Sequence, residues 1–321
     1  MNKKRILLLL KILVSLCLIT WLLYKADLRA ILHSLKGCSL KFFALIYLSI
    51  IVNNLAQVFR WRVLLANIAG RPSFLKLLQF HMIGNFFQGF LPSSMSVDIV
   101  KGYLLSKTTD PKKAYGSLLF GRIMGIAVLF SFFVWIVAFR PQLILNKGFT
   151  TQIVWALIIF MAGCAIVFSK KVSRFIFSRF ERLSATGVFR KAKAFREELY
   201  NYRYNVKAIA LAALLSAVIF ISSIISMYFS FRAVFFHVPV LVLMVYVPLI
   251  FALMLLPISI NGIGLREGLM FMFLGAWGLN REVLLSSSLL AYAVIYSIYL
   301  LGGIVYLFSG IKGVKSVEKE K

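Results

Sequence analysis

The sequence predicts an all-α polytopic integral membrane protein. About six full transmembrane helices and two broken re-entrant helical hairpins are expected, arranged as an inverted-topology repeat. Three observations lead there. Apolar residues make up 61% of the chain against 15% charged, and the mean hydropathy is +0.90, a composition that belongs in lipid. Six apolar stretches are long enough for a hydrocarbon core of about 30 Å, which takes about 20 helical residues. Two further apolar regions are interrupted by Pro-Ser elements at corresponding places in the two halves.

The first stretch, 6–24, follows Met1-Asn2-Lys3-Lys4-Arg5. That opening imitates a signal peptide, but the apolar run is too long and no small-x-small cleavage site follows, so it reads as a retained anchor. The second stretch, 42–59, runs into Arg60-Trp61-Arg62. Region 74–106 is broken at Leu91-Pro92-Ser93-Ser94, and stretches 114–139 and 151–169 follow. Residues 170–207 carry eleven cations against three acids. There Val172, Phe175, Ile176, Phe180 and Leu183 recur at helical spacing, which predicts an amphipathic helix lying on the inner leaflet. The stretch 208–231 is next, then region 238–279, broken at Leu256-Pro257-Ile258-Ser259, and finally 283–309.

Charge orients these spans. With the amino terminus inside and each broken region returning to its own side, 25 Lys and Arg fall on inside segments and eight outside. The bias follows the positive-inside rule, although four cations in 25–41 run against it locally. Both termini are then cytoplasmic. The order span, span, inside hairpin, span is followed by span, span, outside hairpin, span, so residues 150–321 repeat residues 1–149 upside down. Leu91, Pro92, Ser94 and Lys101 match Leu256, Pro257, Ser259 and Arg266 at a constant offset of 165. Inverted repeats with broken helices near the midplane are a recurring plan of secondary transporters.

A net charge of +27 could suggest nucleic acid, but the cations lie between apolar spans. An anionic lipid surface is the expected partner and nucleic acid is not. Cys17, Cys38 and Cys164 show no metal-like spacing, and neither metal nor cofactor is expected.

Irregular backbone survives in a membrane only when buried in protein or lining a wet cavity. A Pro-Ser turn followed by a new helix leaves free N–H groups that favour an anion such as phosphate. Ser94 or Ser96 is expected to cap the first short helix, and Ser259 or Asn261 the second. Gly262 and Gly264 would let the backbone approach a ligand or a neighbouring helix. A simple kink satisfied by neighbouring side chains is the alternative. Lys11 can snorkel to the inner headgroups. Arg122 sits too deep for that and needs a carboxylate, for which Asp98 and Glu267 stand in the broken segments. Asp98 and Lys101, three apart, can pair on one helical face. Arg266 and Glu267 are adjacent and expected to point apart, leaving Glu267 for Arg122 or for a proton. Lys101, Arg122 and Arg266 would then form a basic, partly hydrated pocket for a lipid phosphate, with Asp98 and Glu267 balancing charge or coupling protons. The competing interpretation is a purely structural ion-pair network.

Arg60-Trp61-Arg62 reads as an interfacial anchor, with a headgroup gate as the alternative. Asn53, Asn54 and Gln57 can form interhelical hydrogen bonds. His81, Asn85 and Gln88 share a helical face that could line a polar path or pack against the second span.

These residues resemble the flippase-like transmembrane family typified by the membrane domain of lysylphosphatidylglycerol synthases. The similarity covers nearly the whole chain. It rests on Arg60-Trp61-Arg62-Val63-Leu64-Leu65, on Asn85 through Pro92 leading to Asp98-Ile99-Val100-Lys101, on Arg122-Ile123-Met124-Gly125, and on Pro257 through Glu267. The last segment is the most specific. The family usually has Gly before the first acid and Arg three after it, where Val97 and Lys101 stand here; lysine keeps the charge and loses the bidentate fork. The resemblance implies movement of a charged lipid between leaflets of a prokaryotic inner membrane, without the soluble aminoacyl-transferase domain of full synthases. A lipid-modifying transferase and an accessory subunit of a glycosyltransferase system remain as alternatives, although no catalytic constellation stands out and no enzyme activity is expected. Membrane phospholipids are the implied partners, with a second copy or a lipid-biosynthetic enzyme left open.

Overall fold

A computed structural model describes residues 36–66, 71–90, 95–139, 147–172, 196–254 and 262–309, with Thr20, Phe175 and Ser259 as single residues. Among the described residues the structure is helical, with no strand. The first half contains α1 (Leu40–Leu64), α2 (Phe74–Phe90), α3 (Ser96–Ser106) and α4 (Pro111–Phe139). Then come α5 (Lys147–Phe168), α6 (Val206–Ala233), α7 (Val240–Met254), α8 (Leu265–Leu274) and α9 (Arg281–Phe308). Apart from Thr20 and Ser259, the expected first span, 6–24, and both Pro-Ser turns lie outside the described residues, as does most of the expected amphipathic helix, of which Val172 and Phe175 are exposed.

Local chemistry sets several helix starts. Asn205 and Asn280 each turn a side-chain oxygen onto a backbone N–H of the first turn, Ala208 at 3.1 Å and Val283 at 2.9 Å, as asparagine caps do. Helix α4 starts with Pro111, whose missing N–H costs nothing there, and Asp110 accepts from the Lys112 N–H at 2.9 Å. Among the described residues four helices (α1, α6, α9 and residues 111–136 of α4) are long and apolar enough to cross a membrane. The described lengths of α2 and α7, 17 and 15 residues, correspond to about 25 and 22 Å at 1.5 Å per residue. Helices α2 and α3 flank the first Pro-Ser element and α7 and α8 the second, and each flanking pair packs together.

Helices α1 and α6 form the central pair. Phe42 stacks on Phe229, Asn53 meets Ser222, and Arg60 meets Ser216, so numbers fall along one helix as they rise along the other. The two are antiparallel. The other principal packed pairs are α1 with α2, α4 and α9; α2 with α3 and α9; α3 with α4; α4 with α6 and α7; α6 with α7 and α9; and α8 with α7 and α9. Exchanging α1 for α6, α2 for α7, α3 for α8 and α4 for α9 returns the same set. Shifting the bounds of α1–α4 by 165 lands within five residues of those of α6–α9.

Glycines set the closest approaches. A Cβ on Gly302 of α9 would lie 2.1 Å from the Met82 carbonyl oxygen of α2, and one on Gly102 of α3 would lie 2.2 Å from the Tyr115 ring of α4. Two large apolar clusters result, one of α1–α4 around Leu77 and Leu104, the other of α4 and α6–α9 around Leu243 and Leu274.

Candidate functional site

Polar side chains gather where these clusters meet. On α1, Asn53 Nδ2 donates across to the Ile219 carbonyl at 2.8 Å and to Ser222 and Ser223 of α6 at 3.1 and 2.9 Å; Gln57 donates to Asn53 Oδ1 at 2.7 Å. One position on, Asn54 Oδ1 accepts from Asn85 Nδ2 and from His81 Nε2, both at 2.8 Å. An amide oxygen only accepts, so the His81 proton is assigned to Nε2. Asn53 and Asn54 bond between helices as expected, Gln57 bonds to Asn53 within α1, and His81 and Asn85 pack against the second span.

Cations line the adjoining wall. Arg122 of α4 donates through Nε to Asp98 Oδ2 at 2.5 Å, and Lys101 Nζ lies 3.8 Å from Asp98 Oδ1. Lys101 is 4% exposed and sits over the Trp61 ring, 4.6 Å from its centroid. Arg60 donates to Ser216 Oγ at 2.9 Å and lies along the glycine face of α4, where a Cβ on Gly125 would come within 3.3 Å of its Nη1. Trp61 is 3% exposed and donates Nε1–H to Ser117 at 3.0 Å. Arg60 and Trp61 therefore face the protein interior, which corrects the expected interfacial anchor. Arg62 stays in the last turn of α1, where a cation offsets the carbonyl end of the helix.

The second half holds its acid differently. Glu267 Oε2 accepts from the Gly264 N–H at 2.8 Å, and Oε1 accepts from Tyr292 at 3.0 Å and from Arg266 Nε at 3.2 Å. Arg266 also stacks over Tyr292, 4.5 Å from its centroid. The adjacent pair does not point apart, and Glu267 is not the partner of Arg122: it bends back onto the start of α8, where the orphan N–H groups attract a carboxylate. The expected serine caps are corrected for the same reason. Ser96 is the first residue of α3, which has no side-chain cap, and Gly264 with Glu267 caps α8. Ser259 is buried with no hydrogen-bond partner among the described residues, while Ser94 and Asn261 lie outside them. Gly262 and Gly264 have φ of 77° and 79°, values that favour glycine. The space beside Gly262 is taken by Met254 of α7, within 2.3 Å of where a Cβ would stand. That glycine serves a neighbouring helix.

Asp98 and Glu267 are the third residues of α3 and α8, and Arg122 and Tyr292 are the twelfth residues of α4 and α9. Position for position, an acid on the short helix is held by the long helix that follows, through a guanidinium in one half and a phenol in the other. Arg266 therefore corresponds to Val97, not to Lys101; both Arg266 and Val97 line one cavity.

That cavity has a volume of about 400 Å³ and is bounded by α1, α2, α3, α4, α6, α7, α8 and α9. A smaller one of about 210 Å³ adjoins it, sharing Gln57, Val97 and Arg122, and is lined by Arg60, Asp98 and Lys101. Arg122 and Arg266 reach the larger cavity; Lys101 reaches only the smaller. Four cations (Arg60, Lys101, Arg122, Arg266) thus surround the site with two carboxylates. Sequence reasoning missed the serine row of α6. Ser222, Ser226 and Ser230 recur every fourth residue, a single face that lines the larger cavity. Among the described residues no three His, Cys, Asp or Glu side chains cluster as a metal site requires.

A family model described as the lysylphosphatidylglycerol synthase TM region matches residues 8–303. No curated protein matches the chain.

Proposed function

The chain belongs to the lysylphosphatidylglycerol synthase transmembrane family, and on that premise we propose that it moves an anionic or modified phospholipid, or a lipid-linked headgroup, between leaflets through the basic cavity. Membership makes it a membrane protein related to lipid handling; the transport step is our interpretation. One observation carries it. Four buried or half-buried cations face two carboxylates, and Arg60 has no carboxylate partner among the described residues. A cation in a bilayer interior costs roughly 2.5–3.5 kcal/mol even on lenient scales. An excess of two is best offset by a bound anion.

The matching of α1–α4 with α6–α9 in bounds and packing supports an inverted repeat, residues 1–149 and 150–321, with the cavity between its halves. Rocking of one half against the other would open the cavity to each leaflet in turn. Lys101, Arg122 and Arg266 neutralise the headgroup charge, and Asp98 and Glu267 balance the cations when it has left. In this proposal the protein sits in a prokaryotic inner membrane with both termini in the cytoplasm and carries out no covalent chemistry.

The test is reconstitution in phosphatidylcholine vesicles with a trace of acyl-chain-labelled phosphatidylglycerol. Dithionite should bleach inner-leaflet label in vesicles holding the protein, and Arg122→Ala or Arg266→Ala should slow this without a change in lipid mass. Bleaching confined to the outer leaflet, as in protein-free vesicles, would refute transport. A new lipid mass would indicate a transferase instead.

A further inference from the structure

We infer that the smaller chamber is a subsite for a doubly charged phosphate, such as the terminal monoester of a lipid, held by Arg60 and Lys101. The inference rests on the transport proposal and names the headgroup chemistry that the site receives.

The larger cavity offers an anion little. Ten of its lining residues are apolar, Ile250, Phe251, Met270, Ile295 and Ile298 among them. Ser222 and Ser223 accept from Asn53, and Asn54 accepts from Asn85. Arg122 and Arg266 each touch a carboxylate, Asp98 at 2.5 Å and Glu267 at 3.2 Å. Such a cavity suits the stem of a lipid next to its phosphate.

The smaller chamber is different. Arg60, Lys101 and Arg122 line it with a single carboxylate, Asp98. Asp98 is committed to Arg122, and its other oxygen stands 3.8 Å from Lys101 Nζ, beyond hydrogen-bond reach. Lys101 is 4% exposed. Among the described residues its ammonium has no hydrogen-bond acceptor, only the Trp61 ring with its centroid 4.6 Å away. Buried polar groups are normally hydrogen-bonded, so an ammonium whose N–H donors all lack an acceptor points to a ligand. Arg60 supports the same conclusion independently. Its one hydrogen bond goes to Ser216 at 2.9 Å, and no carboxylate contacts it among the described residues. Beyond the neutral Asp98–Arg122 pair, two positive charges therefore face the chamber. A phosphate monoester carries about −1.5 to −2 at pH 7 and matches them; a diester has a single charge and leaves one cation bare. Arg60 supplies a guanidinium fork and Lys101 a point charge, the two ways side chains hold phosphate. The volume of about 210 Å³ falls below the roughly 300–1,000 Å³ of ligand pockets. It takes a phosphate and leaves the stem to the adjoining cavity, with which it shares Gln57, Val97 and Arg122.

The experiment is native mass spectrometry of the full chain with phosphatidic acid and phosphatidylmethanol on identical acyl chains. The two differ by one methyl, which removes the second charge. Phosphatidic acid should be retained about tenfold or more over phosphatidylmethanol. Arg60→Gln and Lys101→Gln should each bring the two lipids close to parity, whereas Lys101→Arg, which keeps the charge, should preserve the preference; thermal melts show which variants fold. Equal retention of the two lipids by the wild type overturns the inference, whether or not any variant folds. So does a preference that survives in folded Arg60→Gln and Lys101→Gln, since it then belongs to the basic surface of the protein. Inorganic phosphate separates the two sources of the same chemistry: displacement of phosphatidic acid at equimolar concentration assigns the subsite to the free ion, and its failure to displace assigns it to the lipid. Labelled phosphatidic acid should also outpace phosphatidylglycerol in the vesicle assay. Selective retention of phosphatidic acid with no movement of either lipid supports the inference and sinks the transport proposal. Equal movement of both lipids with retention blind to headgroup overturns the inference and leaves transport intact.

Discussion

Asp98→Asn removes one negative charge while keeping the side chain's shape, and its effect can be worked from the geometry. Asp98 faces Arg122 at 2.5 Å and Lys101 at 3.8 Å. At an effective dielectric of about 20, a unit pair at 4 Å is worth roughly 4 kcal/mol before desolvation. Breaking a fully buried pair costs roughly 3–5 kcal/mol. Two facts lower that figure: Asp98 and Arg122 are each 22% exposed, and an asparagine oxygen still accepts from Arg122. We expect a loss of about 2 kcal/mol and, at an unfolding entropy of about 2.1 cal/mol/K per residue over 321 residues, a fall in Tm of about 3 °C. Anion binding should change in the opposite direction, because four cations would then face one carboxylate. Thermal unfolding of the full chain in detergent, followed by tryptophan fluorescence with and without phosphatidylglycerol, reads both effects. Trp61 is a local reporter, since Lys101 lies on its ring. The unliganded Tm should drop, and the increment given by phosphatidylglycerol should grow. An unchanged Tm together with an unchanged or smaller increment would refute the view that Asp98 restrains an otherwise over-charged chamber.

Three more outcomes are expected. Gly302→Ala drives a methyl to 2.1 Å from backbone that cannot give way; it should destabilise by about 3 kcal/mol, whereas Gly268→Ala, with nothing within 4 Å, should be neutral or stabilising by up to about 1 kcal/mol, both measured by thermal unfolding. Asn54→Ala takes the shared acceptor from His81 and Asn85 and should cost about 2 kcal/mol, read in the same melt. Tyr292→Phe deprives a buried carboxylate of one donor, at roughly 1.5–3 kcal/mol; Tyr292→Leu, which also removes the ring under Arg266, should in addition slow lipid movement, and wild-type rates in that variant would exclude the stack from the path.

The helices were readable from hydropathy because each long apolar run among the described residues carries one, and the described helices α2, α3, α7 and α8 flank the two Pro-Ser elements. The cation-rich site was readable too, since Arg122 in an apolar helix demands a partner. Which partner was not. Adjacent residues on a regular helix diverge by about 100°, which set Glu267 apart from Arg266. At the first turn of a helix that rule weakens, because unbonded N–H groups draw the carboxylate back. Arg60 was misjudged because hydropathy sees only its neighbours Trp61 and Arg62, whereas Gly121 and Gly125, some sixty residues on, make the groove that admits it. The serines of α6 escaped notice because a hydroxyl bonded to its own helix blends into an apolar stretch.

The unlike ties on the two acids have a mechanical result. Glu267 and Arg266 ride on one helix, so α8 can shift against α9 and keep its carboxylate neutralised, giving up the Tyr292 contact. Asp98 has its shortest tie on another helix, and drawing α3 from α4 must pull opposite charges apart. The molecule is thus built with one stiff flank and one compliant flank, and thermal motion will explore the second far more often.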